Sequence, residues 1–376
     1  MKREVRPSVS IVKCQTYEEE EVFRSLRQSV DLLGGIRSFV KQGDHVLLKP
    51  NLLFGKEPRK AVTTHPSVVK GAIHLVHEAG GIPFIGDSPG FGSAGRAAEK
   101  SGIKTIAEEA GCPVVEFNNP VPWPKGGMLF RQFEVDQKVL DADVVINLPK
   151  WKTHGMVLLT LAVKNLFGCV PGSKKPLWHL KAGEDRSLFA KVLVDLYDMI
   201  RPSLNILDGI VGMEGNGPSS GVPKPLGLLL ASNDALSLDQ TVCDLLRLPR
   251  EALVTNRVAI EQGLSRDDAL VLGLTPNEAR IEGFKFPPPS APDWNLPGIL
   301  RRALKNALSA RPVISEDLCR QCDRCAEICP PKALTRKGRM PDFDYGKCIR
   351  CFCCQEICPE GAVSIQPGWA LRWKRK

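Results

Sequence analysis

Two copies of one cysteine pattern near the C-terminus constrain the fold of this chain more than any other feature of its 376 residues. The first run is Cys319, Cys322, Cys325 and Cys329, and the second run is Cys348, Cys351, Cys354 and Cys358. Each run has the spacing C-x2-C-x2-C-x3-C and is followed by a proline. Thiolates three residues apart let a short loop wrap three corners of a cubane iron–sulfur cluster, so the pattern predicts [4Fe-4S] ligation.

The last cysteine of each run lies one helical turn further along and points away from the loop. In folds with two such runs, it ligates the other cluster. We therefore predict two clusters with crossed ligands. The first-run cluster is assigned to Cys319, Cys322, Cys325 and Cys358, and the second-run cluster to Cys348, Cys351, Cys354 and Cys329. Cys353 does not fit the spacing, so we predict that it is not a ligand.

The residues around the runs repeat as well, since Glu-Ile-Cys-Pro occurs at 327–330 and again at 356–359. With all eight ligand positions matched, residues 313–368 resemble the bacterial 2×[4Fe-4S] ferredoxin domain. Zinc and disulfides are the alternatives. Zinc ribbons use two separated C-x2-C pairs, and a disulfide framework requires export. The N-terminus has no apolar signal region, so we expect a cytoplasmic protein.

The bulk properties are those of a soluble protein with two domains. Hydrophobic residues make up 43% of the chain and charged residues 25%. No stretch approaches the roughly 18 apolar residues that a spanning helix needs, so we expect no transmembrane segment. The formal net charge of +9 is small and dispersed. It gives no case for a nucleic-acid partner.

Strand and helix patterns alternate along the N-terminal part of the chain. Apolar runs at 44–49, 82–85, 113–117, 142–147 and 203–208 predict buried strands, and helical periodicity occurs at 66–79 and 95–110. Such alternation is typical of a doubly wound α/β domain with a mostly parallel sheet. We assign this domain to residues 1–284. A small α+β two-cluster ferredoxin domain with a basic tail is assigned to residues 313–376.

Residues 285–312 join the two domains. Their proline-rich first part predicts an extended linker. A short basic amphipathic helix is predicted at 300–310. This helix and the tail at 369–376 either pack against a domain or contact a partner or a membrane, and the sequence leaves both interpretations open.

Polar residues follow the predicted strands, at the edge where open parallel sheets bind ligands. Lysines there suit a carboxylate or phosphate ligand. The candidate binding residues are Lys49, Asn51, Asp87, Ser88, Lys150, Lys164, Asn165, Glu214 and Asn216, and the candidate catalytic residues are Lys152 and His154. A histidine whose pKa lies near neutrality can act as a general acid or base. The alternative is that these residues are solvated loop ends and that His154 is a hydrogen-bonded structural group.

Residues 90–95 match the pattern G-x-G-x-x-G between a predicted strand and a predicted helix. Glu116 follows about 20 residues later, as in a dinucleotide-binding fingerprint. However, residues 86–89 separate the strand from the first glycine, whereas the fingerprint needs an immediate turn. We favour a glycine-rich loop that closes the ligand crevice over a nicotinamide or flavin site.

The loops at the strand ends carry a family resemblance. They contain Lys49-Pro50-Asn51, Gly86-Asp87-Ser88, Lys152-Thr153-His154, Lys164-Asn165-Leu166-Phe167-Gly168, Asp208-Gly209-Ile210 and Glu214-Gly215-Asn216-Gly217-Pro218. On these motifs, residues 45–245 resemble the prokaryotic family known as domain of unknown function 362. The resemblance implies that the loops form one shared site and that the clusters serve electron transfer. It names no substrate.

Two functions stay open on the sequence alone, and so does the question of whether the protein is an enzyme. The first is an iron–sulfur oxidoreductase that passes electrons between two [4Fe-4S] clusters and a small anionic substrate in the α/β crevice, served by a redox partner protein. The second is a non-catalytic ferredoxin-like carrier, or a protein that binds a ligand or partner while its clusters are structural.

Overall fold

The structure is a computed structural model, and it describes residues 6–90, 92–124, 127–130, 132–266, 268–288, 309–337 and 340–367. The tail at 369–376 lies outside these residues. So does the predicted basic helix at 300–310, apart from Ser309 and Ala310.

A large mixed sheet forms the centre of the N-terminal domain. Its strands and those of a small adjoining hairpin are β1 (Ser8–Lys13), β2 (His45–Pro50), β3 (Ile82–Asp87), β4 (Val114–Glu116), β5 (Pro120–Pro122), β6 (Glu134–Asp136), β7 (Val144–Leu148), β8 (Lys150–His154), β9 (Leu158–Thr160), β10 (Leu204–Glu214), β11 (Val222–Ser232) and β12 (Leu270–Gly273). Within the described residues, the sheet has the order β12-β1-β11-β10-β7-β2-β3-β4, with β8 joined to β10 and β9 joined to β8. Strands β5 and β6 form the separate hairpin.

Helices cover both faces of this sheet. They are α1 (Glu19–Asp31), α2 (Pro66–Ala79), α3 (Ala94–Lys100), α4 (Ile103–Glu109), α5 (Gln137–Asp141), α6 (Ala162–Asn165), α7 (Lys175–Ala182), α8 (Arg186–Ile200), α9 (Ala235–Leu245) and α10 (Val254–Glu261). Successive residues of β2 enter opposite cores: Val46 and Leu48 pack in one and Leu47 in the other. Both faces of the strand are therefore buried, as a doubly wound domain requires.

The predicted α/β class is confirmed. Strand β2 pairs in parallel with β3 and β7, and β7 pairs in parallel with β10. The antiparallel pairs that β11 forms with β1 and β10 make the sheet mixed. Because β2, β3 and β7 run in the same direction, their carboxyl ends share one edge of the sheet.

Two local predictions were wrong. The helix predicted at 95–110 is divided into α3 and α4, because Gly102 adopts a left-handed φ of 74° between them. Residues 150–154, predicted as a loop, form strand β8 between β10 and β9. All five residues of β8 are buried. The polar composition of this segment does not reflect exposure to solvent, since its side chains form hydrogen bonds inside the protein.

The C-terminal domain consists of two small hairpin sheets and two short helices. Its elements are β13 (Arg311–Ile314), α11 (Arg324–Glu327), β14 (Leu334–Lys337), β15 (Met340–Phe343), α12 (Cys353–Ile357) and β16 (Val363–Gln366). Strand β13 pairs with β16, and β14 pairs with β15, both antiparallel. The first strand begins at Arg311, inside the segment 285–312 that the sequence assigns to the linker.

The two domains pack directly against each other. The Gln355 side chain donates to the Asn216 carbonyl oxygen at 2.8 Å, and Lys56 donates to the Pro359 carbonyl oxygen. A Cβ atom at Gly155 would lie 2.4 Å from Cδ1 of Ile365, so the Ile365 side chain packs directly against the backbone of this residue. The contacts place helix α12 over the carboxyl ends of the parallel strands.

Candidate functional site

A buried ion pair joins the ends of β2 and β3. Lys49 Nζ lies 2.9 Å from Asp87 Oδ1, and both residues are buried. The other carboxylate oxygen of Asp87 accepts a hydrogen bond from the Leu52 amide at 2.9 Å. A Cβ atom at Gly168 would lie 1.8 Å from Asp87 Oδ1, so the ion pair requires glycine at this position.

A chain of side-chain amides continues from this pair and holds Lys152. Asn51 donates to Asn165 at 2.9 Å, and Asn165 donates to Asn147 at 2.8 Å. Lys152 Nζ donates to Asn51 Oδ1 and to the Val62 carbonyl oxygen, each at 2.7 Å. Both of its acceptors are neutral. Burial therefore lowers the pKa of Lys152 to about 7.

His154 connects the sheet to the C-terminal domain. Its Nδ1 accepts a hydrogen bond from the Met156 amide at 3.0 Å, so the neutral ring carries its proton on Nε2. Nε2 lies 2.9 Å from Oε1 of Glu356, on helix α12. Burial lowers the pKa of His154 and favours this neutral form. Burial alone would raise the pKa of Glu356, but the interaction with His154 and the positive charge of Lys164 outweigh burial and lower this pKa.

A cavity lies between the two domains at this edge of the sheet. Its lining from the N-terminal domain includes Asn51, Leu53, Phe54, Asp87, Ser88, Gly90, Lys152, His154, Thr160, Lys164, Asn165, Phe167, Gly168, Lys175, Pro176, His179 and Pro218. The C-terminal domain contributes Ile328, Cys353, Glu356 and Ile357. The volume is about 90 Å³. Since one water needs about 10–15 Å³ by this measure, the cavity holds several waters or a small molecule.

The lining of the cavity carries an excess of positive charge. Lys152, Lys164 and Lys175 face Glu356, while the charge of Asp87 is matched by Lys49. Burial lowers the pKa of Lys164, and it lowers the pKa of Lys175 to about 8. An anion in the cavity would offset this burial and favour the charged lysines.

Several polar atoms of the lining have no partner within the described part of the chain. They include Thr160 Oγ1 and His179 Nδ1, both on buried residues. Lys164 Nζ lies 5.0 Å from the centre of the Phe167 ring, and the described residues give it no hydrogen-bond acceptor. Buried polar atoms are normally satisfied, so these three groups are available to a ligand.

The structure brings most of the sequence-predicted site residues together, but not all. Asn51, Asp87, Ser88, Lys152, His154, Lys164 and Asn165 line the cavity. Lys49 lies behind the lining, paired with Asp87. Lys150 is outside it, because its Nζ is held by Asp208 and Tyr17 at 2.7 Å each.

Glu214 and Asn216 are also outside the cavity. Glu214 lies 3.4 Å from Lys224 Nζ and accepts from the Lys285 amide. Asn216 contacts the C-terminal domain instead, accepting from Gln355 at its carbonyl oxygen. The glycine-rich loop that carries both residues thus forms part of the domain interface.

Sequence reasoning missed several residues of the lining. Lys175 and His179 are four residues apart on α7, a spacing that places both on one face of a helix and was a usable signal. Nothing in the sequence identified Glu356 or Cys353, because their role depends on how the two domains pack. Phe54 and Thr160 lacked any distinguishing pattern, and Phe167 was noted only as part of the family motif at 164–168.

The amide donors at the end of the G-x-G-x-x-G segment are already occupied by a side chain. The Glu116 carboxylate accepts hydrogen bonds from the amides of Ala94 and Gly95, each at 2.8 Å. These are the helix N-terminal donors that a pyrophosphate would need. Gly90 instead borders the cavity, as expected for a loop that closes a ligand crevice.

The two cysteine runs share one backbone conformation. Gln321 and Asp323 in the first run, and Arg350 and Phe352 in the second, all have left-handed φ angles of 54–58°. Non-glycine residues adopt this conformation at a cost of about 1–2 kcal/mol each. Its occurrence at matching positions curls both loops in the same way. The hydrogen bonds to the last cysteine of each run also repeat. The Ala333 amide donates to Cys329 Sγ, and the Ala362 amide donates to Cys358 Sγ, each at 3.2 Å.

Thiols of the two runs lie close to one another. Cys329, Cys348, Cys351 and Cys354 line one small chamber, together with Cys353. Cys358 lies close enough to Cys325 for their charges to interact, and so does Cys319. The amide donors and curled loops fit a thiolate-bound cluster. All thirteen cysteines are free, so the disulfide alternative is not realised. Among the described residues, no three His, Cys, Asp or Glu side chains are placed to hold a single metal ion.

The fold and the thiol groups define an α/β protein with a C-terminal iron–sulfur domain. A family model described as "4Fe-4S dicluster domain" matches residues 311–359. The model described as "Domain of unknown function (DUF362)" matches residues 46–244, more than half of the chain. The chain belongs to this family, as the sequence predicts, and it binds [4Fe-4S] clusters.

A curated relative supports the assignment. The chain is 43% identical to the thylakoid-associated protein sll1697 of Synechocystis sp. over 302 residues, which cover 80% of this chain and 94% of the relative. No helix in the described part of our chain is long and apolar enough to cross a membrane.

Two solved structures are distant neighbours. The lactate racemase apoprotein from Thermoanaerobacterium thermosaccharolyticum is 11% identical, with a TM-score of 0.40 over 61% of this chain and 55% of the racemase. A protein from Thermotoga maritima is 15% identical, with a TM-score of 0.33 over 54% of this chain and 52% of the other. The chain thus spans about half of either structure.

Proposed function

We propose that the protein is an iron–sulfur oxidoreductase that passes electrons between two [4Fe-4S] clusters and a small anionic substrate in the cavity between its domains. One observation carries the proposal. Helix α12 contains Cys354 and is followed directly by Cys358, two of the predicted cluster ligands, while Cys353 and Glu356 of the same helix line the cavity. A substrate in the cavity therefore lies beside the cluster ligands, with only one layer of side chains between them.

Two clusters with crossed ligands are part of the proposal. The chamber that Cys329 shares with three cysteines of the second run supports the crossed assignment. Cys353 borders both this chamber and the cavity, so it separates the second-run cluster from the substrate. A reducing compartment such as the cytoplasm suits thirteen free cysteines and thiolate ligands.

The charge of the cavity supports an anionic substrate. Three lysines face one carboxylate in the lining, and Lys164 Nζ has no acceptor among the described residues. A carboxylate or phosphate oxygen would satisfy this ammonium group through a charge-assisted hydrogen bond. The volume of about 90 Å³ favours a small metabolite over a nucleotide.

The residues of the chain bind, orient and supply protons, while the bound clusters supply or accept electrons one at a time. Lys164 and Lys175 attract the anion and hold it against α12. Lys152 is a candidate proton donor, because burial brings its pKa to about 7. His154 is a second candidate, since it lines the cavity and its Nε2 lies 2.9 Å from Oε1 of Glu356.

The test starts from the reduced protein. The clusters are reduced with dithionite, excess reductant is removed, and reoxidation is followed against a panel of carboxylates and phosphorylated metabolites. We expect at least one compound to accelerate reoxidation, and Lys152→Ala and His154→Ala to diminish that effect. Lys138→Ala, on the exposed surface, is the matched control and should behave like the wild type.

The competing function is a binding protein with structural clusters. In that case no compound accelerates reoxidation, and both cavity variants leave ligand binding unchanged. Clusters that cannot be reduced without being destroyed would favour the competing function directly, because electron transfer requires a reversible potential.

A further inference from the structure

A basic groove lies on the other side of Phe54 from the cavity. It is lined by Phe54, Gly55, Lys56, Glu57, Gly92, Ser93, Arg96, Ala97, Lys100, Arg324 and Pro359, and has a volume of about 300 Å³. Four of these residues are cationic and one is anionic. The carboxylate of Glu57 is already paired with Arg59 at 2.5 Å. The groove therefore presents an excess of positive charge, and Arg96 and Lys100 contribute to it.

Arg96 and Lys100 place two of these positive charges close together. They are four residues apart on α3, so their side chains are neighbours on one face of the helix. Both are exposed, and within the described ranges neither forms an ion pair with a carboxylate. Like charges at this spacing are destabilising for an isolated helix. An acidic surface in the groove would relieve their repulsion.

The groove adjoins the first-run cluster. Arg324 precedes the ligand Cys325, and Pro359 follows the ligand Cys358. Lys56 donates to the carbonyl oxygen of Pro359 and lies within electrostatic range of Cys358. Cys322 of this cluster is exposed, and Leu318 beside it is 52% exposed. The second-run ligands Cys348, Cys351 and Cys354 are buried.

We propose that the basic groove is the docking site of an acidic one-electron carrier protein, which exchanges electrons with the first-run cluster. This inference rests on the proposed function only for the presence of reducible clusters. The reduced carrier loses one electron and the first-run cluster gains it; no bond is formed or broken and no proton moves. A small, polar contact of this kind is typical of transient electron-transfer complexes.

The experiment measures the reduction of the cluster-loaded full-length protein by a prereduced acidic flavodoxin, in stopped flow at low ionic strength. Opposite charges accelerate encounter, and salt screens them. We expect the wild-type rate to fall steeply between about 20 mM and 500 mM salt. Arg96→Glu with Lys100→Glu should slow reduction at low salt by about tenfold or more. The milder pair R96Q with K100Q should give an intermediate rate.

The matched control is Lys41→Glu with Lys138→Glu. Both lysines are exposed, and they precede β2 and β7, at the opposite edge of the sheet. This control should keep the wild-type rate. Reduced methyl viologen, a small cationic donor that needs no acidic docking surface, should not reduce the R96E/K100E protein more slowly than the wild type.

Three results would overturn the docking site: a wild-type rate in R96E/K100E, an equal loss in the control pair, or failure of flavodoxin to reduce wild-type protein that dithionite does reduce. Tight stoichiometric binding of inorganic triphosphate that is lost in R96E/K100E, with flavodoxin reduction unchanged, would make the groove a small-anion site instead. If dithionite fails too, the proposed electron-transfer function fails, so the two failures are distinguishable.

Discussion

The two cysteine runs have the same spacing and the same backbone conformation, yet they occupy different environments. Of the four cysteines predicted to ligate the first-run cluster, Cys322 is exposed and the other three are half-buried. Of the four predicted for the second-run cluster, three are buried, and α12 adds Cys353 and Glu356 to the cavity. The corresponding helix of the first run, α11, contributes only Ile328 beside its end.

The two runs therefore show that identical local sequence can be placed in different surroundings by the domain interface. Packing against the α/β domain turns one copy of a repeated motif toward the buried, lysine-lined cavity. The other copy stays near the solvent and beside the basic groove. Under the proposed function, electrons would enter or leave through the first-run cluster and reach the substrate from the second.

Removing a crossed ligand gives the largest expected effect. In Cys358→Ala, the substitution lies in the second run but should destroy the first-run cluster, lowering the iron content from about eight to about four atoms per chain. Cys353→Ala is the matched control and should retain both clusters. Iron analysis with EPR of the reduced protein checks this. Loss of the second-run cluster in C358A would show that the ligands are not crossed.

Lys164→Met should weaken anion binding without weakening the fold. The side chain keeps its apolar contacts with Phe167, but the cavity loses an ammonium group. A hydrogen bond to a charged group contributes about 1.5–3 kcal/mol, so affinity should fall about 10- to 100-fold. The free energy of unfolding should stay constant or rise, because a partly buried charge without a hydrogen-bond acceptor is removed.

Calorimetric titration with the most effective anion of the substrate panel and chemical denaturation measure these two quantities. Lys138→Met serves as the control. If K164M bound that anion as tightly as the wild type, the lysine-lined cavity would not be its binding site.

The two clusters should also decay at different rates when they are exposed to an oxidant, although this effect is smaller than those of the two substitutions. Ferricyanide reaches the exposed Cys322 more readily than the buried Cys351. We expect the first-run cluster to decay severalfold faster, as seen by EPR in samples that were oxidised briefly and then reduced. Equal decay of both signals would contradict the difference in burial.

Anion affinity should also depend on pH, with the smallest effect of the four. Burial lowers the pKa of Lys152 to about 7 and that of Lys175 to about 8. A bound anion stabilises the protonated lysines, so binding takes up protons. Affinity should be greatest below pH 7 and fall as the pH rises through 7 and 8, by at most about tenfold per pH unit for each lysine. Affinity that stays constant over this range would exclude both lysines as contacts.

Sequence patterns predicted the fold and about a third of the cavity lining. Hydrophobic alternation located β2, β3 and α2, because these elements are buried through regular packing. The strand-end rule found Asn51 and Lys152, since parallel strands bring their carboxyl ends together. The rule also predicted that Lys150 binds the ligand. This prediction was wrong, because Lys150 forms an ion pair with Asp208 inside the sheet.

The rest of the cavity could not be read from local patterns. Glu356 belongs to the repeated Glu-Ile-Cys-Pro segment, and Cys353 is predicted only to be a non-ligand beside Cys354. Both line the cavity because α12 packs over the strand ends, where Glu356 Oε1 lies 2.9 Å from His154 Nε2. Contacts between distant segments leave no periodicity in either segment.

Freeze-quench EPR directly tests whether the substrate takes its electrons from the second-run cluster. Fully reduced protein is mixed with the most effective compound of the substrate panel, and the signals of the two clusters are assigned with C358A, in which only the second-run cluster remains. We expect the second-run signal to decay first and C358A still to react with the compound. Decay of the first-run signal first, or no response of either signal to any compound, would contradict it.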